Sequence, residues 1–429
     1  MFTSELYRLF LEYPKVVTDT RQDVSRAIFF ALQGEHFNGN LYAEEALKKG
    51  AAYAVVDDEN LPDHKDFIRV DNTLLALQDL ANFHRNQLQI PLIAITGTNG
   101  KTTTKELAGK ILKKKYQVVY TEGNLNNHIG VPLTLLRLSG RTEIAIIEMG
   151  ANHVGEIALL CEIARPEFGL ITNIGKAHLE GFGGPQGVVR AKSELYKYIL
   201  ANAGKLFVNN ANPLLDELSG KITRITYGAM PDADCHGKIH SADPLINVTW
   251  DSVSGKKIIR SQLYGAYNFE NIMAGICIGN YFKVPPDEIV RAIEDYVPSN
   301  QRSQIIQSEH NTIIMDAYNA NPTSMMLALK EFTAQASDNK TLILGDMLEM
   351  GRDSKKEHQV ILDFLENTGI KEVFLVGPEF SSLNKNPGWK VFENISGLCS
   401  YLETNKLTNR HFFIKGSRGI QLEKCLDLL

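Results

Sequence analysis

The residues most able to do chemistry stand together. Gly97-Thr98-Asn99-Gly100-Lys101-Thr102-Thr103 combines two glycines, a lysine and adjacent hydroxyls. That mixture suits a phosphate group. Loop N–H groups and a helix N-terminus point at the anion, and Lys101 adds a point charge. Thr102 supplies a hydroxyl of the kind that reaches Mg²⁺ in such loops. The familiar spacing is GxxxxGK[ST]; here Ile95 occupies its first glycine position and only GxxGKT remains. A glycine turn with a chance lysine would read similarly. The apolar run 92–96 before the loop and the double threonine after it favour nucleotide binding.

A Mg²⁺-nucleotide site also needs carboxylates at the C-terminal ends of neighbouring strands. Glu148 ends the apolar run 144–147 and has that position, which an exposed strand-end glutamate would share. His178 follows another strand in Asn173-Ile174-Gly175-Lys176-Ala177-His178, where a lone loop histidine is more often bland. Lys192, inside a helix-like stretch, reads on its own as a solvated lysine. The tract 123–132 carries Asn124, Asn126, Asn127 and His128 before a helix. Its amides offer donors and acceptors for a ligand, or an Asx-rich turn. Asn268 and Asn271 share a helix face and could read a base, or cap and solvate that face.

These residues require a scaffold of alternating strands and helices. The chain has 429 residues, too many for one ordinary core, which predicts two or three domains. Runs at 27–32 and 51–56 read as buried strands and 42–49 as a helix closed by Gly50. A boundary is expected near residue 89. Strands at 92–96, 117–120, 144–148, 168–172 and 205–209, separated by helices, predict a mainly parallel sheet covered on both faces. Residues 222–264 predict antiparallel strands, then helices at 267–281 and 287–296. Pro298-Ser299-Asn300 reads as a second linker. Strands at 313–316, 341–345, 372–377 and 412–415 then predict a smaller doubly wound domain. The expected fold class is therefore α/β, divided as 1–88, 89–299 and 300–429.

A net charge of −5 excludes a broad basic field, and with it general nucleic-acid or anionic-membrane binding. Five scattered cysteines without a CxxC pair fit free thiols in a reducing compartment and argue against a disulfide scaffold or structural zinc. Residues 1–17 lack the apolar centre of a signal peptide, and no apolar run is long enough to span a bilayer. The cytoplasm is the expected location and a monomer the expected state.

In order along the chain, TDTR (18–21), FFALQGE (29–35), GTNGKTT, GNLNNHIGVPLTLL (123–136), EMG (148–150), NIGKAHLEGFG (173–183), RAKSE (190–194), YNFEN (267–271), QR (301–302), DAYNANP (316–322), LGDMLEMG (344–351) and KGSRG (415–419) cover essentially the whole chain. Together they resemble the Mur ligases, the ATP-dependent amide-forming family of peptidoglycan precursor synthesis. The short phosphate loop is the form that family uses. Two positions depart from its usual pattern: Arg26 where glycine is common, and Asn38 where aspartate is common.

The resemblance implies a small UDP-sugar-binding domain, a central P-loop ATPase domain and a C-terminal Rossmann-like domain. It implies that Thr102, Glu148 and His178 belong to Mg²⁺ sites and that Lys192 is carried as a carbamate, a hard oxygen ligand. Asn268, Asn271 and Asp316 would hold adenine and ribose, and Arg302 would reach the γ-phosphate. Thr20 and Arg21 would face the UDP-sugar substrate. Asn319, Asn321, Lys415 and Ser417 would line the ATP and acceptor side. Within the family, the asparagine tract and DAYNANP resemble the branch that joins D-Ala-D-Ala to UDP-MurNAc-tripeptide through an acyl phosphate. His178 and the His128 loop are candidates for receiving the amine proton. A sibling that adds a diamino acid often carries a DNPR tract, and folylpolyglutamate synthases an SPH tract; neither is present. A P-loop regulatory NTPase is the more distant alternative.

Overall fold

A computed structural model describes residues 2–336 and 339–429. Its elements are organised around three main sheets and one short ribbon. The first sheet holds Val16–Val17, Ile28–Phe30, Tyr53–Val56 and Phe67–Arg69, all paired in parallel. All three residues of Ile28–Phe30 are buried, as expected where both faces are covered. Arg26, just before this strand, has φ 54°, a backbone conformation in which glycine is the unstrained residue. Its guanidinium carbon lies 5.5 Å from the Tyr13 ring centroid. Asn38 accepts from the Asn40 N–H and starts a short 3₁₀ turn.

The helix Thr73–Gln87 joins this sheet to the next. Asn72 caps it by accepting the Leu75 N–H at 2.8 Å. It precedes residue 89, yet its side chains bond forward in the chain. Gln78 donates to the His128 carbonyl (3.0 Å), and Arg85 donates to the Ala164 carbonyl (3.1 Å) and pairs with Glu167 (2.7 Å).

The central sheet has nine strands, and Leu92–Thr96 lies between Ile144–Glu148 and Phe168–Ile171. All five residues of Leu92–Thr96 are buried. Ile93 and Ile95 pack with Leu107 and Ile111, while Leu92 and Ala94 face the opposite core with Val188 and Leu195. A strand with two covered faces loses hydrophobic alternation, so it reads as a continuous apolar run.

The antiparallel expectation for 222–264 needs correction. Thr223–Gly228 runs parallel to Lys205–Asn209 and to the start of Cys235–Ala242. Only Cys235–Ala242, Leu245–Ser252 and Gly255–Tyr264 form antiparallel pairs. A period-two pattern marks a strand without giving its direction. Here direction is fixed by tertiary bonds: Asp234 accepts the Thr226 N–H at 2.7 Å and its hydroxyl at 2.8 Å, pinning the returning chain.

The third sheet has six strands, five of them parallel, with Thr312–Asp316 and Lys340–Gly345 flanking His411–Lys415. Gln304–Gln307 and Lys390–Phe392 were not expected. Both are short, partly exposed edge strands without an apolar run. All five cysteines are free thiols. Among the described residues no helix is long and apolar enough to cross a membrane.

Candidate active site

The C-terminal ends of the central strands open onto a cleft of about 940 Å³, walled on its other side by residues of the third sheet. The glycine loop leaves Leu92–Thr96 and enters the helix Lys101–Lys113. Gly97 has φ 144°, and a Cβ there would stand 2.0 Å from the Thr172 hydroxyl. Gly100 has φ 79°, and its Cβ would meet Asn271 Oδ1 at 2.3 Å. Both positions therefore need glycine. Asn173 braces the loop: its carbonyl accepts the Thr98 N–H (2.9 Å) and its Oδ1 the Asn99 N–H (3.0 Å). The first helical N–H groups then stand at the cleft, the arrangement that binds anions.

Lys101 donates to the carbonyls of Gly97 (2.7 Å) and Thr98 (3.0 Å). Burial lowers its pKa to about 8; Glu148 opposes that shift and the Arg302 charge adds to it. The Thr102 hydroxyl donates to Glu148 Oε2 at 2.9 Å, and Asn126 donates to Oε1 at 2.8 Å. Lys105 Nζ lies 3.8 Å from the same carboxylate. Glu148 is 2% exposed and Thr102 4%. One hydroxyl and one carboxylate beside a phosphate loop are the hard oxygens that suit Mg²⁺, which usually keeps waters and substrate phosphates as its other ligands. No group of three or more His, Cys, Asp and Glu residues forms a metal cage among the described residues.

His178 has φ 49° and precedes the turn of helix Leu179–Phe182. Its Nδ1 is 2.6 Å from Glu349 Oε2, a close contact without aligned hydrogen-bond geometry. That pairing holds the Glu349 carboxyl below its ordinary range. Lys192 is 2% exposed in the helix Pro185–Ala201, behind the cleft wall rather than on it. Burial, then the like charge of Lys101, lowers its pKa to about 7 against Glu156 and Glu194. A neutral amine is therefore well populated near neutral pH.

Asn268 and Asn271 line the cleft while tying elements together. Asn268 donates to the Tyr264 carbonyl and accepts from Asn271, each at 2.8 Å; Asn271 also accepts the Thr104 hydroxyl at 3.1 Å. The asparagine tract divides by role. Asn126 reaches Glu148, whereas Asn127 accepts the N–H groups of Ile129 (3.1 Å) and Gly130 (2.9 Å), closing the turn that leads into helix Gly130–Leu135. Asn124 and His128 line the cleft and are exposed.

From the third sheet, Asp316 pairs with Lys415 at 2.5 Å and accepts the Ser303 N–H at 3.1 Å. Lys415 also donates to the Asn319 carbonyl at 3.4 Å. Ser417 donates to the Ala320 carbonyl (3.3 Å) and accepts the Leu348 N–H (2.9 Å). Asn321 crosses the cleft and donates to Asn99 Oδ1 at 2.8 Å. The Arg302 guanidinium lies 3.7 Å from the Tyr318 ring centroid, and its Nε is buried without a partner. Thr20 and Arg21 stand apart from the cleft. The Thr20 carbonyl accepts from Lys49 (3.1 Å), and Arg21, with its side chain 88% exposed, pairs with Asp19 (2.7 Å).

Four lining or supporting residues were missed as individuals: Tyr318 under Arg302, Glu349 against His178, Asn173 behind the loop, and Lys105 beside Glu148. The first three lie inside tracts already singled out. Lys105 follows Lys101 by one helical turn, a spacing that places it on the same face.

The Mur ligase middle domain family matches residues 95–279, and the Mur ligase glutamate ligase domain family matches residues 301–407. A UDP-N-acetylmuramoyl-tripeptide–D-alanyl-D-alanine ligase of Bacillus subtilis is 33% identical, over 96% of this chain and 93% of its own. A crystal structure of MurF from Acinetobacter baumannii superposes with TM-score 0.85 at 32% identity, covering 96% of this chain and 93% of that one. MurF ligase from Thermotoga maritima, solved in complex with ADP, shares the fold with TM-score 0.85 at 23% identity, over 97% of both chains. By near-full-length similarity and by two family domains in order, this chain belongs to the Mur ligase family.

Proposed function

We propose that this chain joins D-Ala-D-Ala to the terminal carboxylate of UDP-MurNAc-tripeptide, using ATP and releasing ADP and phosphate. One observation carries the chemistry: the phosphate loop with Lys101, the Thr102–Glu148 pair and Arg302, just before the third sheet's first strand, all face one cleft. The near-full-length likeness to D-alanyl-D-alanine-adding ligases supports the substrate assignment. The units 1–88, 89–299 and 300–429 are proposed to serve the UDP end, ATP and the dipeptide, respectively. Thr20 and Arg21 are assigned to the first of these tasks.

The tripeptide carboxylate attacks the γ-phosphorus, forming an acyl phosphate as ADP leaves. The D-Ala-D-Ala amine then adds to that carbonyl, and collapse releases phosphate and the new amide. Lys101 and Arg302 neutralise charge on the transferred phosphoryl group from opposite walls. Thr102 and Glu148 would hold Mg²⁺, which supplies charge stabilisation when bound. His178 is assigned to a second Mg²⁺ position; with its lone pair unligated, it is instead the candidate acceptor of the amine proton. The lowered pKa of Lys192 suits reaction with CO₂, and its carbamate would supply a further oxygen near the metal sites. Asn268, Asn271 and Asp316 are assigned to adenosine. Asn124, Asn126, Asn127, His128, Asn319, Asn321, Lys415 and Ser417 are assigned to the substrate side. Closure of the third unit keeps water from the acyl phosphate. A cytoplasmic monomer is the proposed form.

Phosphate release with purified precursors tests the reading. Release is expected only when both UDP-MurNAc-tripeptide and D-Ala-D-Ala are present. Release that needs neither would reject it.

A further inference from the structure

Arg302 reaches the cleft on a segment whose backbone is held in a costly shape. Gln301 has φ 58° and Ser303 φ 52°, both in the left-handed region and neither glycine. Such conformations persist only where surrounding contacts over-determine them. Contacts from the third unit meet them on one side: the Ser303 N–H donates to Asp316 Oδ1 (3.1 Å), and the Gln301 carbonyl accepts the Tyr318 N–H (3.2 Å). The central unit holds the other side. Tyr267 bonds the Ser303 hydroxyl at 2.8 Å. Glu106 accepts the Tyr296 hydroxyl at 2.7 Å through Oε2 and the Asn300 amide at 3.4 Å through Oε1.

Glu106 lies in Lys101–Lys113, the helix that the phosphate loop opens. Tyr296 is 3% exposed and stands two residues before the start of the 298–300 linker. Burial, then the Glu106 charge, holds the Tyr296 hydroxyl well above its ordinary pKa, so it stays a donor across the working range. One rigid helix thus carries Lys101 at its start and, one turn and a half later, the carboxylate that grips both ends of the linker leading to Arg302.

We propose that Glu106 is a positioning residue: by tethering Tyr296 and Asn300, it sets the hinge that aims Arg302 at the phosphate loop. The inference rests on the assignment of Arg302 to the transferred phosphoryl group. The tether acts by hydrogen bonding rather than by charge on the substrate. Its loss should therefore misplace Arg302 without removing the nucleotide's own contacts.

The test is a mutant cycle measured as kcat by phosphate release, with ATP Kd by calorimetry and Tm for folding. Glu106→Ala is expected to lower kcat by about 10- to 100-fold, the cost of a small misplacement, with ATP Kd changed by less than about threefold. Glu106→Gln, which keeps an acceptor for Tyr296, should recover most of the rate. Tyr296→Phe should give a smaller loss of the same kind, and it carries the test if Glu106→Ala fails to fold. In an Arg302→Ala background, Glu106→Ala should cost nothing further, because both act through one group. Parent kcat in both Glu106→Ala and Tyr296→Phe, or a full additional loss in the Arg302→Ala background, would overturn the inference. Parent turnover in Arg302→Ala itself would instead remove the assignment on which it rests.

Discussion

The two walls of the cleft are built differently. The central wall is braced from within its own unit: Asn173 holds Thr98 and Asn99, and Thr102, Asn126 and Lys105 surround Glu148. The third-unit wall crosses to it through a few side chains: Asn321 to Asn99, Glu349 to His178, and Lys176 to Glu357 at 2.6 Å. Its key cation, Arg302, keeps one buried Nε without a partner. A preformed wall suits binding of the nucleotide. A bridged wall suits a group needed only during transfer. A Cβ on Gly175 would lie 2.9 Å from the Thr323 hydroxyl, which shows how closely the walls approach.

Breaking the fixed wall should cost more than breaking the bridged one. Lys101→Ala is expected to lose about 10³-fold in turnover, the scale of removing a preorganised charge from a desolvated site. Phosphate release measures it, and a loss under tenfold would make Lys101 a structural lysine. Arg302→Ala should lose about 10²- to 10³-fold in kcat while KM for ATP moves less. A raised KM with unchanged kcat would place Arg302 in ground-state binding and erase the contrast between the walls.

Lys192→Ala should be inactive and partly restored by added short carboxylates. Reaction with CO₂ needs the neutral amine. With a pKa lowered to about 7, the neutral form predominates above pH 7 and falls about tenfold per unit below it. Stimulation by bicarbonate is therefore expected at pH 8 and should fade toward pH 6; the reverse trend, or full activity in Lys192→Ala, would reject the carbamate.

Asn321→Ala removes a bridge between the walls. A loss of about fivefold in turnover with an unchanged Tm is expected, near the worth of one partly buried hydrogen bond. Asn127→Ala should cost about 1 kcal/mol of stability by loss of its bonds to the Ile129 and Gly130 N–H groups, read by denaturant midpoint. Unchanged turnover in that variant would remove Asn127 from the substrate side.

Much of the site was legible because its chemistry is local. Gly97, Gly100, Lys101 and Thr102 are neighbours in sequence, and strand–loop–helix order places them without outside help. The five buried residues of 92–96 likewise announce a two-faced strand. Pairings across long separations were less legible. Nothing near His178 indicates Glu349, and nothing near Asn127 separates its turn-closing bonds from the Glu148 contact of its neighbour Asn126. The direction of Thr223–Gly228 was misread because alternation is the same in parallel and antiparallel ladders, and the Asp234 tether that decides it is a tertiary bond.

By itself, the sequence determined the phosphate loop, the alternating α/β architecture and the ordered motifs that mark the family. Those depend on neighbours along the chain, where geometry follows from residue type and spacing. The tertiary structure alone decided which charges share a site. It buried Lys192 behind Lys101, drew Arg302 over Tyr318, and set Glu349 against His178. Such effects depend on distance and desolvation, and neither is a property of position in the chain.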